Sequence, residues 1–197
     1  STPLYSSAAS DVYKRQGQGN NMGVKNSLGD IILIMNPDVR MVEPLFKKAV
    51  NYFDSNKEVA LLGMKQWYNK GKEGLSFDVD PSYSFLHPFL CAIKSRIYNK
   101  LSKFDNRDMY INGSCFFICK QPFVKIGMFD EKIFMYCEEK DLNRRLRNSG
   151  YEITFDKNMN YFHLAGERSF SYDEFRMTLD SELYYYCLLY TSPSPRD

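Results

Sequence analysis

Acidic residues are concentrated in one short stretch of the sequence, FDEKIFMYCEEKDLNRR, which spans residues 129–145. Five carboxylates stand there among large aromatic and apolar side chains: Asp130, Glu131, Glu138, Glu139 and Asp141. From Glu138 onward the stretch predicts a helix that ends at Gly150, and the helix dipole favours ionised carboxylates in a first turn. Such groups can accept a proton or hold a cation. A surface ion pair between Asp141 and Arg145 explains the pattern equally well.

Two further polar residues follow apolar runs. Asp38 comes after Ile31–Met35, whose continuous apolar character predicts a central parallel strand covered on both faces. His163 ends a later predicted strand, and ligands of open α/β sheets bind at the carboxyl ends of strands. Because Mg²⁺ and Mn²⁺ prefer carboxylate oxygens, and Mn²⁺ also accepts imidazole, Asp38 is a candidate metal ligand. His163 is either a second ligand or a structural hydrogen-bonding residue.

The elements that position these residues alternate between strand and helix patterns, which predicts an α/β fold. The segment GQGNNMG from Gly17 is a predicted loop passing into a short helix, whose glycines and free N–H groups suit a phosphate. After the run at Ile31–Met35, the predicted elements are a helix over 43–56, a strand over 59–67, a helix over 82–104, a strand over 110–120, a short helix over 121–126, the helix from Glu138, strands over 151–155 and 160–163, and a helix over 172–186.

The predicted helix over 82–104 combines apolar side chains at helical spacing with several lysines and arginines, and Pro88 disturbs it locally. Two interpretations of this segment remain open. It is either an ordinary helix that faces the core, or a helix that attaches peripherally to an anionic membrane surface.

Composition indicates a globular protein, because 44% of the 197 residues are hydrophobic and 16% are aromatic. A net charge of +2 with dispersed basic residues argues against a general nucleic-acid binder. The sequence has no apolar run long enough for a membrane span. Five cysteines without a C-x-x-C pair favour reduced thiols in the cytoplasm.

The two ends differ in kind from the middle. SSAASDVYKRQ at 6–16 and CLLYTSPSPRD at 187–197 resemble translated transposon-type adapters used in sequencing libraries. We therefore predict disordered non-native tails at 1–16 and 187–197 around one native domain at 17–186. Because that domain starts abruptly within a glycine-rich segment, we expect an open-reading-frame fragment that lacks its natural beginning.

Five motifs in order carry a family resemblance: GQGNNMG, ILIMNPDV, GSCFFICK, GMFDEKIFMYCEEKDLNRR and NYFHLAGERS. They resemble family 2 glycosyltransferases of the rhamnosyltransferase-like branch, over nearly all of residues 17–169. The resemblance implies the GT-A fold, a doubly wound and mostly parallel sheet with helices on both faces. It also implies inverting, metal-assisted transfer of rhamnose or a similar hexose from a nucleoside-diphosphate sugar to a glycan or lipid-linked glycan of the bacterial cell surface.

The resemblance implies a cytoplasmic enzyme that uses Mg²⁺ or Mn²⁺. If the second interpretation of the segment 82–104 holds, this segment would supply peripheral contact at the inner face of the plasma membrane. Asp38 matches the residue whose metal bridges the donor diphosphate, and His163 matches a histidine near that metal. The residues that match the loop near the donor nucleotide are Gly19, Asn20, Asn21 and Gly23.

Glu138 and Glu139 match the family's Glu-Asp pair, whose second member acts as the catalytic base. Glutamate at 139 departs from the usual aspartate and moves the carboxylate outward by one methylene. Asp141 and Arg145 match residues that support or orient the site.

Two other functions stay open. A sugar-phosphate nucleotidyltransferase places metal-binding acids on a similar sheet, but it needs a glycine-rich, basic phosphate loop that this sequence lacks. The second is a catalytically inactive fragment that retains only the fold. The expected loss of the first strands, where the family recognises the nucleotide base, would weaken donor binding.

Overall fold

The computed structural model describes residues 16–68, 71–82, 88–133, 136–164 and 172–191. These residues form six helices and seven strands. In chain order the elements are α1 (Gln16–Asn26), β1 (Ile31–Met35), β2 (Val39–Met41), α2 (Phe46–Ser55), β3 (Val59–Tyr68), β4 (Phe77–Val79), α3 (Pro88–Lys100), β5 (Met109–Ile111), β6 (Cys115–Cys119), α4 (Lys120–Lys125), α5 (Glu138–Asn148), β7 (Glu152–His163) and α6 (Tyr172–Thr191).

Five strands form the main sheet in the order β1-β6-β3-β7-β2, while β4 and β5 form a small second sheet. β3 and β7 run parallel, and the other neighbours in the main sheet run antiparallel. The register of β7 shifts between its pairing with Met64 and its pairing with Lys65, so the two strands predicted near the end of the chain are one strand with an irregularity. The predicted α/β class is confirmed.

The position predicted for Ile31–Met35 is wrong. β1 lies at the edge of the described sheet, pairs antiparallel with β6, and buries only Ile34 fully. A run of apolar residues indicates that the faces of a strand contact other groups, but it carries no information about the direction of the neighbouring strand. For the same reason the described sheet is mixed, whereas a mostly parallel sheet was expected.

Three boundaries also differ from expectation. The GQGNNMG segment is helical within α1, where a loop was predicted. The helix predicted over 82–104 begins at Pro88, and the preceding residues 83–87 lie outside the described part. α6 continues to Thr191, so residues 187–191 are helical where disorder was predicted, and Leu189 packs against buried Tyr185. Residues 1–15 and 192–197 of the predicted tails lie outside the described part.

The core lies on both faces of the main sheet. Successive residues of β6 point to opposite faces, so Phe117 packs with α2 on one side and Phe116 packs toward α1 and α5 on the other. Leu142 and Leu146 are buried on the same side as Phe116 and hold α5 against the sheet. No helix among the described residues is both long enough and apolar enough to cross a membrane.

Candidate active site

Asp38 and His163 lie together at one end of the main sheet. β2 pairs with β7 so that Val39 is opposite His163, and Asp38 directly precedes Val39. His163 Nε2 lies 3.3 Å from Asp38 Oδ1, and the Leu164 N–H donates to the Asp38 carbonyl at 2.7 Å. The Asp38 side chain is still 42% exposed and can therefore be reached by a ligand.

The donor set of this pair fits a divalent cation shared with a substrate. Carboxylate oxygen and imidazole nitrogen are ligands that Mn²⁺ accepts, and two protein ligands leave positions for phosphate oxygens and water. Among the described residues, no group of three or more His, Cys, Asp or Glu side chains is arranged to hold a metal. Asp38 and His163 are the candidate pair that the geometry brings together.

A buried polar cluster anchors the turn that carries Asp38. The Asn36 N–H donates to the Ser114 carbonyl at 2.9 Å. The Ser114 hydroxyl and the Tyr161 hydroxyl each donate to Gln66 Oε1 at 2.8 Å, and the two hydroxyls lie 2.6 Å apart. Burial raises the pKa of Tyr161, which keeps its hydroxyl neutral. This cluster was not predicted from the sequence, in which a glutamine inside an apolar strand was the available signal.

Glu138 and Glu139 begin α5 beside β5. Asn143 ties the helix start to this strand, because it accepts from the Ile111 N–H at 3.1 Å and donates to the Glu139 carbonyl at 2.7 Å. The Glu139 carboxyl lies against Gly113, where a built Cβ would be 3.5 Å from the Glu139 carboxyl carbon. That distance is ordinary van der Waals contact, so the backbone at Gly113 and the Glu139 carboxyl lie next to each other. Glu138 accepts from the Cys137 N–H at 3.1 Å.

Burial is the main influence on the two glutamates. It raises the pKa of Glu139 to about 8, with a further contribution from the nearby charge of Glu138. It also raises the pKa of Glu138, although backbone hydrogen bonds at the helix start oppose the change. The helix terminus was expected to lower both pKa values, and this expectation is wrong because desolvation outweighs the effect of the helix terminus. A pKa near the working pH is suited to a general base.

Asp141 and Arg145 form the predicted ion pair, but this pair is buried at its acidic end. Asp141 is 1% exposed, and its two oxygens lie 2.8 Å from Arg144 Nη2 and 2.6 Å from Arg145 Nη2. Arg145 also donates to the Ile126 carbonyl at 2.7 Å. This geometry favours a supporting role for both residues, since Asp141 already binds two cations and Arg145 connects α5 to the turn before Gly127.

Replacing Asp141 with Asn is therefore expected to lower the free energy of unfolding by about 3–5 kcal/mol, because it removes the counter-charge of buried Arg144 and partly buried Arg145. Urea denaturation measures the change. Asp54→Asn is the matched control: it breaks the largely exposed pair with Lys57, where we expect a change of at most about 1 kcal/mol. Equal effects of the two substitutions would contradict the supporting role.

The residues predicted near the donor nucleotide lie on α1 and divide into two groups. Asn21 is buried, and its amide donates to the Phe129 carbonyl at 2.9 Å and accepts from the Phe129 N–H at 3.0 Å. Asn21 is thus a structural link to the segment before α5. The other three, Gly19, Asn20 and Gly23, line an open groove of about 400 Å³ beside β1. The Gln16 side chain donates to Asn36 Oδ1, so α1 starts next to the turn of Asp38.

Comparison with solved structures defines the fold class. The chain matches GalNAc-T7 with UDP, GalNAc and Mn²⁺ at a TM-score of 0.54 and 14% identity, over 88% of this chain and 36% of that one. It matches the mannosyltransferase PcManGT from Pyrobaculum calidifontis, in complex with GDP-Man and Mn²⁺, at a TM-score of 0.55 and 9% identity, over 90% of this chain and 44% of that one. The fold is therefore the GT-A glycosyltransferase fold.

The chain is also similar in sequence to proteins of a more specific class than the fold defines. The chain is 28% identical over 182 residues to rhamnosyltransferase WbbL of Escherichia coli, which covers 86% of this chain and 69% of the relative. A shorter match, 40% identical over 42 residues, covers 21% of this chain and 14% of an N-acetylglucosaminyl-diphospho-decaprenol L-rhamnosyltransferase of Mycobacterium tuberculosis. No family model matches. Together, fold and sequence identify a glycosyltransferase domain related to rhamnosyltransferases.

Proposed function

We propose that the protein transfers rhamnose or a similar hexose, with inversion, from a nucleoside-diphosphate sugar to a bacterial glycan or lipid-linked glycan on the cytoplasmic side of the plasma membrane. The observation that carries this proposal is the turn between β5 and β6. Its Ser114 carbonyl accepts from the N–H of Asn36, two residues before Asp38, and its Gly113 lies against the carboxyl of Glu139. One turn thus connects the candidate metal ligand with the candidate base.

Glu139 is the general base in this proposal. Its carboxylate removes the proton from the acceptor hydroxyl as that oxygen attacks the anomeric carbon opposite the departing diphosphate, which inverts the configuration. Glu138 raises the pKa of Glu139 through its charge. Asp141, held by Arg144 and Arg145, fixes the first turn of the helix that carries both glutamates.

Asp38 and His163 are the residues that would hold Mg²⁺ or Mn²⁺ at the donor diphosphate. A bound cation supplies charge that offsets the negative charge growing on the leaving group. The presence of Mn²⁺ in the solved structures of GalNAc-T7 and PcManGT supports this choice. The groove at Gly19, Asn20 and Gly23 is the proposed place of the nucleotide, because its other wall is β1, the strand that leads into the turn carrying Asp38.

Incubation of the full-length protein with nucleoside-diphosphate sugars and Mn²⁺ tests the proposal. We expect metal-dependent transfer to a lipid-linked glycan, and slow donor hydrolysis when the acceptor is absent. Release of pyrophosphate from a nucleoside triphosphate and a sugar 1-phosphate would identify a nucleotidyltransferase instead. Absence of every one of these reactions, in a protein that binds Mn²⁺ and is folded, would identify an inactive domain that retains the fold.

A further inference from the structure

Apart from Tyr98, which packs against the core, the helix α3 contacts the rest of the protein mainly through small and polar residues. Its buried side chains are Cys91, Ser95 and Asn99, which share one face at a spacing of four residues. Asn99 donates to the Phe77 carbonyl at 2.8 Å and accepts from the Ser76 N–H at 2.7 Å. Hydrogen bonds to the β4 region therefore help to hold this face in place.

The opposite face presents large apolar side chains to solvent. Its residues, which we call the α3 stripe, are between 37% and 68% exposed: Phe89, Leu90, Ile93, Ile97 and Leu101. At the angular spacing of an α-helix they fall within about 120° of arc. Leu101 continues the helical turn, because its N–H donates to the Ile97 carbonyl at 2.9 Å. The interpretation of this helix as core-facing is therefore wrong for the stripe, because periodicity identifies residues that share a face but not which face is buried.

The charges beside the stripe are of one sign. Residues 88–104 contain no Asp or Glu, and Arg96, Lys100 and Lys103 are exposed. Lys94, on the side toward the protein, pairs with Asp108 at 2.7 Å. By contrast, α6 also exposes large apolar residues, but its sequence includes Asp180 and Glu182. Exposed apolar side chains and basic residues, without an acid within 88–104, are thus combined on α3.

We propose that the α3 stripe docks on a lipid bilayer that contains anionic phospholipids. The apolar side chains enter the boundary between headgroups and acyl chains, and Arg96, Lys100 and Lys103 contact the phosphates. A helix that has a large apolar face beside basic residues, without an acid, has the composition of an interfacial helix. This docking does not depend on the proposed sugar transfer, because it requires neither donor nor acceptor.

Co-sedimentation of the full chain with vesicles tests this proposal. We expect binding to vesicles that mix phosphatidylglycerol with phosphatidylcholine, weaker binding to phosphatidylcholine alone, and a decrease at high salt. Each cation near an anionic surface strengthens partitioning about fivefold, so joint replacement of Arg96, Lys100 and Lys103 with Gln should weaken it roughly 100-fold. The expected loss for Leu101→Glu is complete.

Leu183→Glu is the matched control, because Leu183 on α6 is 58% exposed and Leu101 is 60% exposed. It should bind like the wild type. Equal loss in both leucine variants, or equal binding to both kinds of vesicle, would overturn the proposal. A third outcome would also overturn the proposal: the wild type does not bind vesicles, and sedimentation velocity shows a dimer that Leu101→Glu dissociates. That outcome would assign the stripe to contact with a second copy of the chain. Thermal unfolding of each variant verifies that it is folded. If Leu101→Glu is not folded, the variant with Gln at positions 96, 100 and 103 tests the proposal.

Discussion

Replacing Glu139 with Gln is expected to lower kcat for sugar transfer by about 10²–10⁴-fold, the range that a positioned general base contributes. Glutamine has nearly the same shape but cannot take a proton from the acceptor hydroxyl. Initial-rate kinetics at saturating donor measure the effect. The rate of the wild type should fall as the pH drops below about 8, because burial raises the pKa of Glu139 to about that value and protonation removes the base.

Glu138→Gln is the control for this prediction. It keeps the base and removes the neighbouring charge that raises the pKa of Glu139, so the rate profile should shift toward lower pH while substantial activity remains. Turnover at the wild-type level in Glu139→Gln would reject Glu139 as the base, and Glu138 would be the next residue to test.

The variant Glu139→Gln can also be tested by a measurement of stability, which does not depend on activity. The raised pKa means that Glu139 binds a proton in the folded state at pH values where the unfolded chain has released it. Its favourable contribution to stability is complete below about pH 4.5 and is lost as the pH rises through about 8. Glu139→Gln stays neutral, so its stability relative to the wild type should increase over this interval, on the order of a few kcal/mol. Urea denaturation at several pH values measures the difference.

Replacing Asp38 with Asn is the second large effect that we expect. The affinity for Mn²⁺ should fall at least about 10–100-fold, a range already typical of changes next to direct ligands, and metal-dependent transfer should fall with it. Electron paramagnetic resonance of free Mn²⁺ measures the affinity without requiring turnover. Asp54→Asn removes an exposed carboxylate elsewhere and should leave the affinity unchanged.

His163→Ala distinguishes the two roles that the sequence left open for this residue. If His163 is a metal ligand, His163→Ala should lower the affinity of the protein for Mn²⁺ about as much as Asp38→Asn does. A residue that only hydrogen-bonds Asp38, from which its Nε2 is 3.3 Å away, would change the affinity by a few fold. Unchanged Mn²⁺ binding in both variants would contradict the placement of the metal at this end of the sheet.

Several features of the site could be predicted because they depend on neighbours along the chain. α5 starts at Glu138 and stops before Gly150, whose φ of 80° is the left-handed conformation that ends helices. The positions of Asp38 and His163 beside strands were also predicted, although the contact between them depends on the long-range pairing of β2 with β7. Apolar periodicity correctly located most of the helices and strands, including the long buried strand β3.

What the tertiary structure decided depends on residues that are distant in sequence. The antiparallel pairing of β1 requires β6, and the buried contacts of Gln66 require Ser114 and Tyr161. The pKa of Glu139 is raised by burial, which is created by surrounding groups and not by its position in the helix. The outward direction of the α3 stripe follows from the hydrogen bonds of Asn99 on the other face.

The sequence by itself thus determined where the elements and the candidate acids are, because periodicity and helix ends depend on residues that are close in the chain. Strand direction, solvent exposure and proton affinity were decided by long-range contacts, because each depends on which groups surround a residue in the folded protein.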